Sequence, residues 1–135
     1  MVLNYIITKP VDQVYQCLTD MQKFAEVHPV IYKVEQLSKT EFLFYEKIKI
    51  VFIPFSFNYK VNLKISLMTK PVEVDSQVQK GVYLTLKFLL QEKNNQTEVQ
   101  EEINIKANVF IKIIFKVILK NAHKKLFQNI DKAKQ

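Results

Sequence analysis

From Val30 to Val109 the apolar residues of this chain recur at every second position. On either side of that span they recur at every third or fourth. A period of two puts successive side chains on opposite faces of a strand, and a period near 3.6 puts them along one face of a helix. The clearest alternation is FSFNYKVNLKISL, where Phe55, Phe57, Tyr59, Val61, Leu63, Ile65 and Leu67 alternate with Ser56, Asn58, Lys60, Asn62, Lys64 and Ser66. It predicts a long strand with one buried and one wet face, as in an antiparallel sheet. The opening segment, Val2 to Thr8, is apolar and β-branched and predicts a strand. KPVDQVYQCLTDMQKFAEVHP then carries Val11, Val14, Tyr15 and Leu18 at helical spacing, with Pro10 near the start. Asp20 is placed to cap a second short helix bearing Met21, Phe24, Ala25 and Val27. Pro29 ends that helix, because the residue before a proline is pushed out of the helical region.

The pattern also sets hairpin registers. Asn94 and Asn95 suit a two-residue turn, since asparagine tolerates positive φ. Pairing Lys93 with Gln96 then sets Leu90 against Val99, Leu86 against Ile103 and Leu84 against Ile105, with Lys87 meeting Glu102 on the other face. One register satisfies both faces. Gln79-Lys80-Gly81 fits a three-residue loop with glycine in the left-handed position, which sets Val78 against Val82 and Val74 against Leu86. MTKP joins Leu67 to Val72. SKT joins two earlier strands and sets Val34 against Phe44. The expected product is an antiparallel meander of about six strands.

The last segment, NVFIKIIFKVILKNAHKKLFQNIDK, spans Asn108 to Lys132. Lys112, Lys116, Lys120 and Lys124 form an i, i+4 stripe, and Phe110, Ile113, Ile114, Val117, Leu126, Phe127 and Ile130 fill the remaining surface. It predicts a long amphipathic helix whose apolar arc is wide over the first turns. A sheet with one wet face needs a cover for the other, and this is the only element long enough.

At 135 residues the chain is expected to form one domain, covering 1–135, with a real core. One cysteine, Cys17, excludes an internal disulfide, and a reducing, cytoplasmic compartment is expected. No leader pattern is read at the N-terminus, and no apolar run approaches the ~20 residues of a membrane span. The net charge is +7, and all 20 basic residues are lysines. A basic chain raises nucleic acid and anionic membranes as partners, but the absence of arginine, the preferred reader of phosphate and guanine, argues against nucleic acid.

The order is strand, two short helices, a meander and a long terminal helix. ITKPVDQVYQCLTDMQKFAEVHPVI and YLTLKFLLQEKNNQTEVQEEINIKA carry its opening and its closing hairpin. In this order the chain resembles the SRPBCC (START-like) superfamily, which includes lipid-transfer START domains, plant pathogenesis-related proteins and polyketide cyclase-like proteins. The single glycine, Gly81, departs from that pattern, leaving few points for sharp strand bends. The resemblance implies an α+β helix-grip fold: a curved antiparallel sheet of about six to seven strands gripping the long C-terminal helix, with two short helices after the first strand. It also implies an apolar cavity between sheet and helix. The expected lining is Tyr32, Glu46, Phe57, Tyr59, Val61, Leu86, Phe88, Glu101, Phe110, Ile114 and Val117. The helix's apolar arc would face this cavity, and the lysine stripe would face water.

Two carboxylates interrupt apolar registers. Glu101 is in phase with Val99, Ile103 and Ile105, opposite Phe88. Glu46 is in phase with Phe42, Phe44, Ile48 and Ile50, opposite Tyr32. On a cavity wall each would carry a raised pKa and serve as acid, base or hydrogen-bond anchor; at a sheet end or beside a bulge it would reach water. His28 precedes Pro29 and His123 sits among lysines, so neither has the neighbours a metal site requires, and no metal or other cofactor is implied. Cys17 lacks a base close in sequence. The leading expectation is a binding or transport protein for an apolar small molecule or lipid. The alternatives are a cyclase- or dehydratase-type enzyme using Glu46, Glu101 or Tyr59, a peripheral membrane protein docking FIKIIFKVIL and its lysines on anionic lipid, and a partner-binding module.

Overall fold

Seven antiparallel strands pair in the order β1-β7-β6-β5-β4-β3-β2 in a computed structural model of the chain, which describes residues 1–50, 52–65 and 71–133. The strands are β1 (Val2–Ile7), β2 (Ile31–Gln36), β3 (Glu41–Ile50), β4 (Ile53–Ile65), β5 (Val72–Gln79), β6 (Val82–Lys93) and β7 (Gln96–Lys106). The helices are α1 (Val11–Thr19), α2 (Met21–Val27) and α3 (Val109–Lys132). This is the helix-grip α+β arrangement. Consecutive strands pair as a meander from β2 to β7, and the N-terminal strand closes onto β7.

The β6–β7 hairpin forms in the expected register: Leu86 faces Ile103, Lys87 faces Glu102 and Phe88 faces Glu101. Asn94 and Asn95 take φ of 54° and 63°, the left-handed pair that such a two-residue turn requires. Gly81 is also left-handed, at 78°. Two registers differ from expectation by one residue, each at a bulge. Val82 faces Gln79 rather than Val78, beyond an irregularity between Gln77 and Gln79, while Val74 faces Leu86 as expected. Ile31, not Tyr32, faces Glu46, with the irregularity between Ile31 and Lys33. An extra, unpaired residue shifts every side chain on one side of it to the other face. The MTKP connection from Leu67 falls mostly outside the described residues.

Helix boundaries follow local chemistry. Asp20 caps α2, its carboxylate accepting from the Gln22 and Lys23 N–H groups at 3.1 and 3.3 Å, and α2 ends at Val27 before His28-Pro29. Asn108 caps α3 through the Ile111 N–H.

The core lies between the concave sheet face and the helices. Phe127 of α3 stacks on Tyr5 of β1 at 4.3 Å and meets Phe88 of β6 edge-on at 5.9 Å. Leu126, Phe127 and Ile130 are buried, and α3 packs against β1, β7 and α2. Two polar ties hold its end: Asn129 donates to the Val27 carbonyl at 2.7 Å, and Asp131 accepts from the Thr8 N–H and hydroxyl at 2.6 and 2.7 Å. The grip is closest in the second half of α3, while Ile111 and Phe115 of the first half pack partly buried against the core. In the first half, Phe110 is 81% exposed and Ile113 and Val117 are each 57% exposed.

Candidate functional site

Where α3 leaves the sheet, an apolar cavity of about 40 Å³ opens between Ile118, Leu119 and Ala122 of α3, Phe24 of α2, and the inner faces of β3 to β6. Ligand pockets commonly run to about 300–1,000 Å³, so the space is narrow as it stands. Its walls are mainly apolar, with Phe44, Val61 and Leu86 among them. Its polar groups are few: His28, Glu46, Tyr59, Ser76 and His123.

Four of these groups, with Glu101 behind the wall, form two hydrogen-bonded pairs and a neighbouring imidazole. Strand alternation turns Glu46 of β3 and Tyr59 of β4 to the inner face, and the Tyr59 hydroxyl donates to Glu46 Oε1. Burial raises the Glu46 pKa, outweighing the lowering by Tyr59's hydrogen bond and by His123. Glu46 is thereby biased toward its neutral, proton-donating form. Burial, then the Glu46 charge and hydrogen bond, push the Tyr59 phenol well above its ordinary value.

The second pair is deeper. Glu101 of β7 and His123 of α3 have 0% and 2% exposure, and Glu101 Oε2 meets His123 Nδ1. The other oxygen, Oε1, accepts from the Tyr5 hydroxyl at 3.5 Å. Tyr5 is raised by burial, then by Glu101's charge. With Nδ1 committed to Glu101, Nε2 is the His123 nitrogen left for anything in the cavity. The His28 ring stands edge-on to His123 at 5.8 Å. Its Nδ1 accepts from the Val30 N–H at 3.3 Å, which places its proton on Nε2. Burial, then His123, hold the His28 pKa well below its usual value, so the ring is neutral. The cavity thus presents hydrogen-bond donors and acceptors within otherwise apolar walls.

The expected lining divides. Glu46, Tyr59, Val61 and Leu86 line the cavity. Phe88 and Glu101 are buried behind it, joined through His123. Phe57 packs half-buried on the inner face beside Tyr59. Four residues are corrected. Tyr32 is 57% exposed, because the bulge turns it outward and gives its place to Ile31. Phe110, Ile114 and Val117 are exposed, because α3 grips through its second half and presents Ile118 and Ala122 to the cavity. The lysine stripe is exposed as expected. Cys17 is half-buried and its thiol is raised by burial, an unreactive setting. Sequence reasoning missed the two histidines as cavity groups. The signal was the position of His123, four residues from both Leu119 and Phe127, within the buried seam of α3. Among the described residues, no three His, Cys, Asp or Glu side chains cluster as a metal site.

The sequence model of the CoxG family, the G-subunit of carbon monoxide dehydrogenase, matches residues 4–133. No curated protein sequence matches. Among solved structures, a conserved protein from Geobacillus kaustophilus superposes with a TM-score of 0.75 at 13% identity, covering 96% of this chain and 90% of that one. A norcoclaurine synthase point mutant from Thalictrum, in complex with a transition-state analogue, superposes with 0.72 at 13% identity, covering 98% and 91%. The di-domain aromatase/cyclase StfQ of the steffimycin biosynthetic pathway superposes with 0.76 at 9% identity, covering 97% of this chain and 43% of that one. At these identities the likeness is one of fold.

Proposed function

The chain belongs to the CoxG family, of the SRPBCC helix-grip superfamily, and from that premise we propose that it binds an apolar small molecule or lipid between the sheet and α3. The observation that carries this reading is the set of polar groups at one apolar cavity: Glu46 with Tyr59, and His123 held by Glu101, with His28 beside it. A core built for stability alone would fill these positions with hydrocarbon, since buried polar networks cost desolvation that packing does not return in full. Such a cavity suits a ligand with an apolar body and one hydrogen-bonding group.

The space of about 40 Å³ is narrow for a lipid-sized ligand. Binding therefore requires the first half of α3 to move away from the sheet, while the seam through Leu126, Phe127 and Ile130 holds. Native mass spectrometry of gently purified protein, followed by denaturation and solvent extraction, tests the reading. The expected result is an extra mass that leaves on denaturation. An apo mass, with no shift in thermal midpoint on adding fatty acids, sterols or aromatic polyketides, would overturn it.

A second reading is a cyclase- or dehydratase-type enzyme. The Glu46 carboxyl, raised by burial and near His123, favours it, because such a pair can exchange protons with a bound carbonyl compound. Glu46→Gln would then abolish turnover and leave ligand uptake intact.

A further inference from the structure

We propose that the ligand carries an anionic head group, a carboxylate or a phosphate, and that this head sits in a groove just outside the cavity, between Lys49 of β3 and Lys125 of α3. The inference rests on ligand uptake between the sheet and α3, and it names the outer end of the molecule taken up. The groove has a volume of about 440 Å³ and runs between the segment after α2, the end of β3 and the middle of α3. Val30, Ile118 and Ala122 line it and also line the cavity, so they form the partition between the two spaces. One side of that partition is fixed. The Val30 carbonyl accepts from the Lys47 N–H at 2.9 Å, which ties the segment after α2 to β3. The other side is α3, the element that has to move for a ligand to enter.

Charge gives the groove its selectivity. Lys47, Lys49 and Lys125 border it and are exposed. The Lys47 ammonium is held over the Tyr32 ring at 5.6 Å. Lys49 and Lys125 have no ion-pair partner among the described residues. No aspartate or glutamate occurs in residues 29–33, 47–65 or 109–130, so the segments that border the groove carry only positive charge. A cleft of one sign concentrates the opposite ion, and an ammonium is a point-charge partner for carboxylate or phosphate. Both free cations sit on parts that stay in place: Lys49 on β3, and Lys125 beside Leu126 in the buried seam of α3.

The cavity itself offers an anion no free cation. His28 is neutral, and His123 Nδ1 is committed to Glu101. A buried charge without a partner is costly, so an anionic group stays at the groove while the apolar body passes the partition. The resulting ligand is an amphiphile, its tail among Phe44, Val61 and Leu86 of the cavity wall and its head between the two lysines.

Titration calorimetry with decanoate, decyl phosphate and decanol at low salt tests this, because the three share one chain and differ in the head. At least one of the anions is expected to bind about tenfold more tightly than decanol and to lose that margin at high salt; the tighter of the two assigns the head as carboxylate or phosphate. Lys49→Gln with Lys125→Gln is expected to weaken the anion by about fivefold or more and to leave decanol unchanged. Lys120→Gln with Lys124→Gln, which removes the same charge from the exposed stripe of α3, is expected to change neither. Equal affinity for decanol and both anions would overturn the proposal and leave cavity uptake standing. So would equal losses in the two double variants, which would reduce the preference to net charge. Binding of none of the three would count against uptake itself and overturn this proposal with it.

Discussion

The carboxylate of Glu101, on β7, closes on Nδ1 of His123, on α3, and neither residue has more than 2% of its surface exposed. This pair joins the sheet to the helix at the inner edge of the cavity. Removing one partner leaves the other buried without its bond. Glu101→Leu and His123→Leu are each expected to destabilise by about 3 kcal/mol. The double variant is expected to cost much less than the sum, because apolar groups then face each other. Urea unfolding of the four proteins measures this coupling. Additive losses would mean that the two residues act independently.

Two cavity groups impose opposite pH dependences on stability. Burial raises Glu46, so the folded state keeps a proton that the unfolded chain gives up. Its contribution is full below the unfolded value near 4.5 and is lost as pH rises through the folded value. Burial, then His123, lower His28, so the unfolded chain takes up a proton that the folded state refuses. Its contribution is present above 6.5 and is lost as pH falls toward the lowered value. Glu46→Gln is therefore expected to remove the loss on the alkaline side and His28→Gln the loss on the acid side. Urea midpoints from about pH 4 to about pH 8 would show each arm flatten separately. An unchanged profile in either variant would refute the assignment for that residue.

How much of this was legible follows from what each pattern constrains. The β6–β7 register was legible because Leu86 with Ile103 and Lys87 with Glu102 satisfy two faces at once. Glu101's burial was legible as one of two alternatives, from its phase with Val99 and Ile103. The bulge at Tyr32 was not, because neither a glycine nor a break in alternation marks it, and one unpaired residue exchanges Tyr32 with Ile31 on the inner face. The direction of α3 was legible only where polar residues interrupt it. Leu119, His123, Leu126, Phe127 and Ile130 define a seam. Between Val109 and Ile118 apolar residues cover all of the helix beside Lys112 and Lys116, and only the contacts actually made decide which side is covered.

That difference between the halves of α3 has a measurable consequence. Phe127 lies between Tyr5 and Phe88 at 1% exposure. Phe127→Ala removes a buried ring and is expected to cost about 4 kcal/mol. Phe110, at 81% exposure, is expected to change stability by less than about 0.5 kcal/mol on the same substitution. Guanidinium unfolding of both variants gives the comparison. A large loss at Phe110 would mean that this side of the first turn is covered in solution.

Ala122 separates ligand uptake from folding. It is half-buried on the cavity wall, one residue before His123. Ala122→Phe drives a ring into a space of about 40 Å³, and overpacking of this kind costs roughly 1–3 kcal/mol. The chain is expected to remain folded and to lose the co-purifying mass. A ligand seated between α3 and the inner sheet face has to pass or replace that ring, whereas one bound on the outer sheet face or the exposed face of α3 does not. Mass spectrometry of the folded variant reads the outcome directly. Retention of the same mass at the same occupancy would place the ligand outside the grip and remove Glu46, Tyr59 and His123 as its anchors.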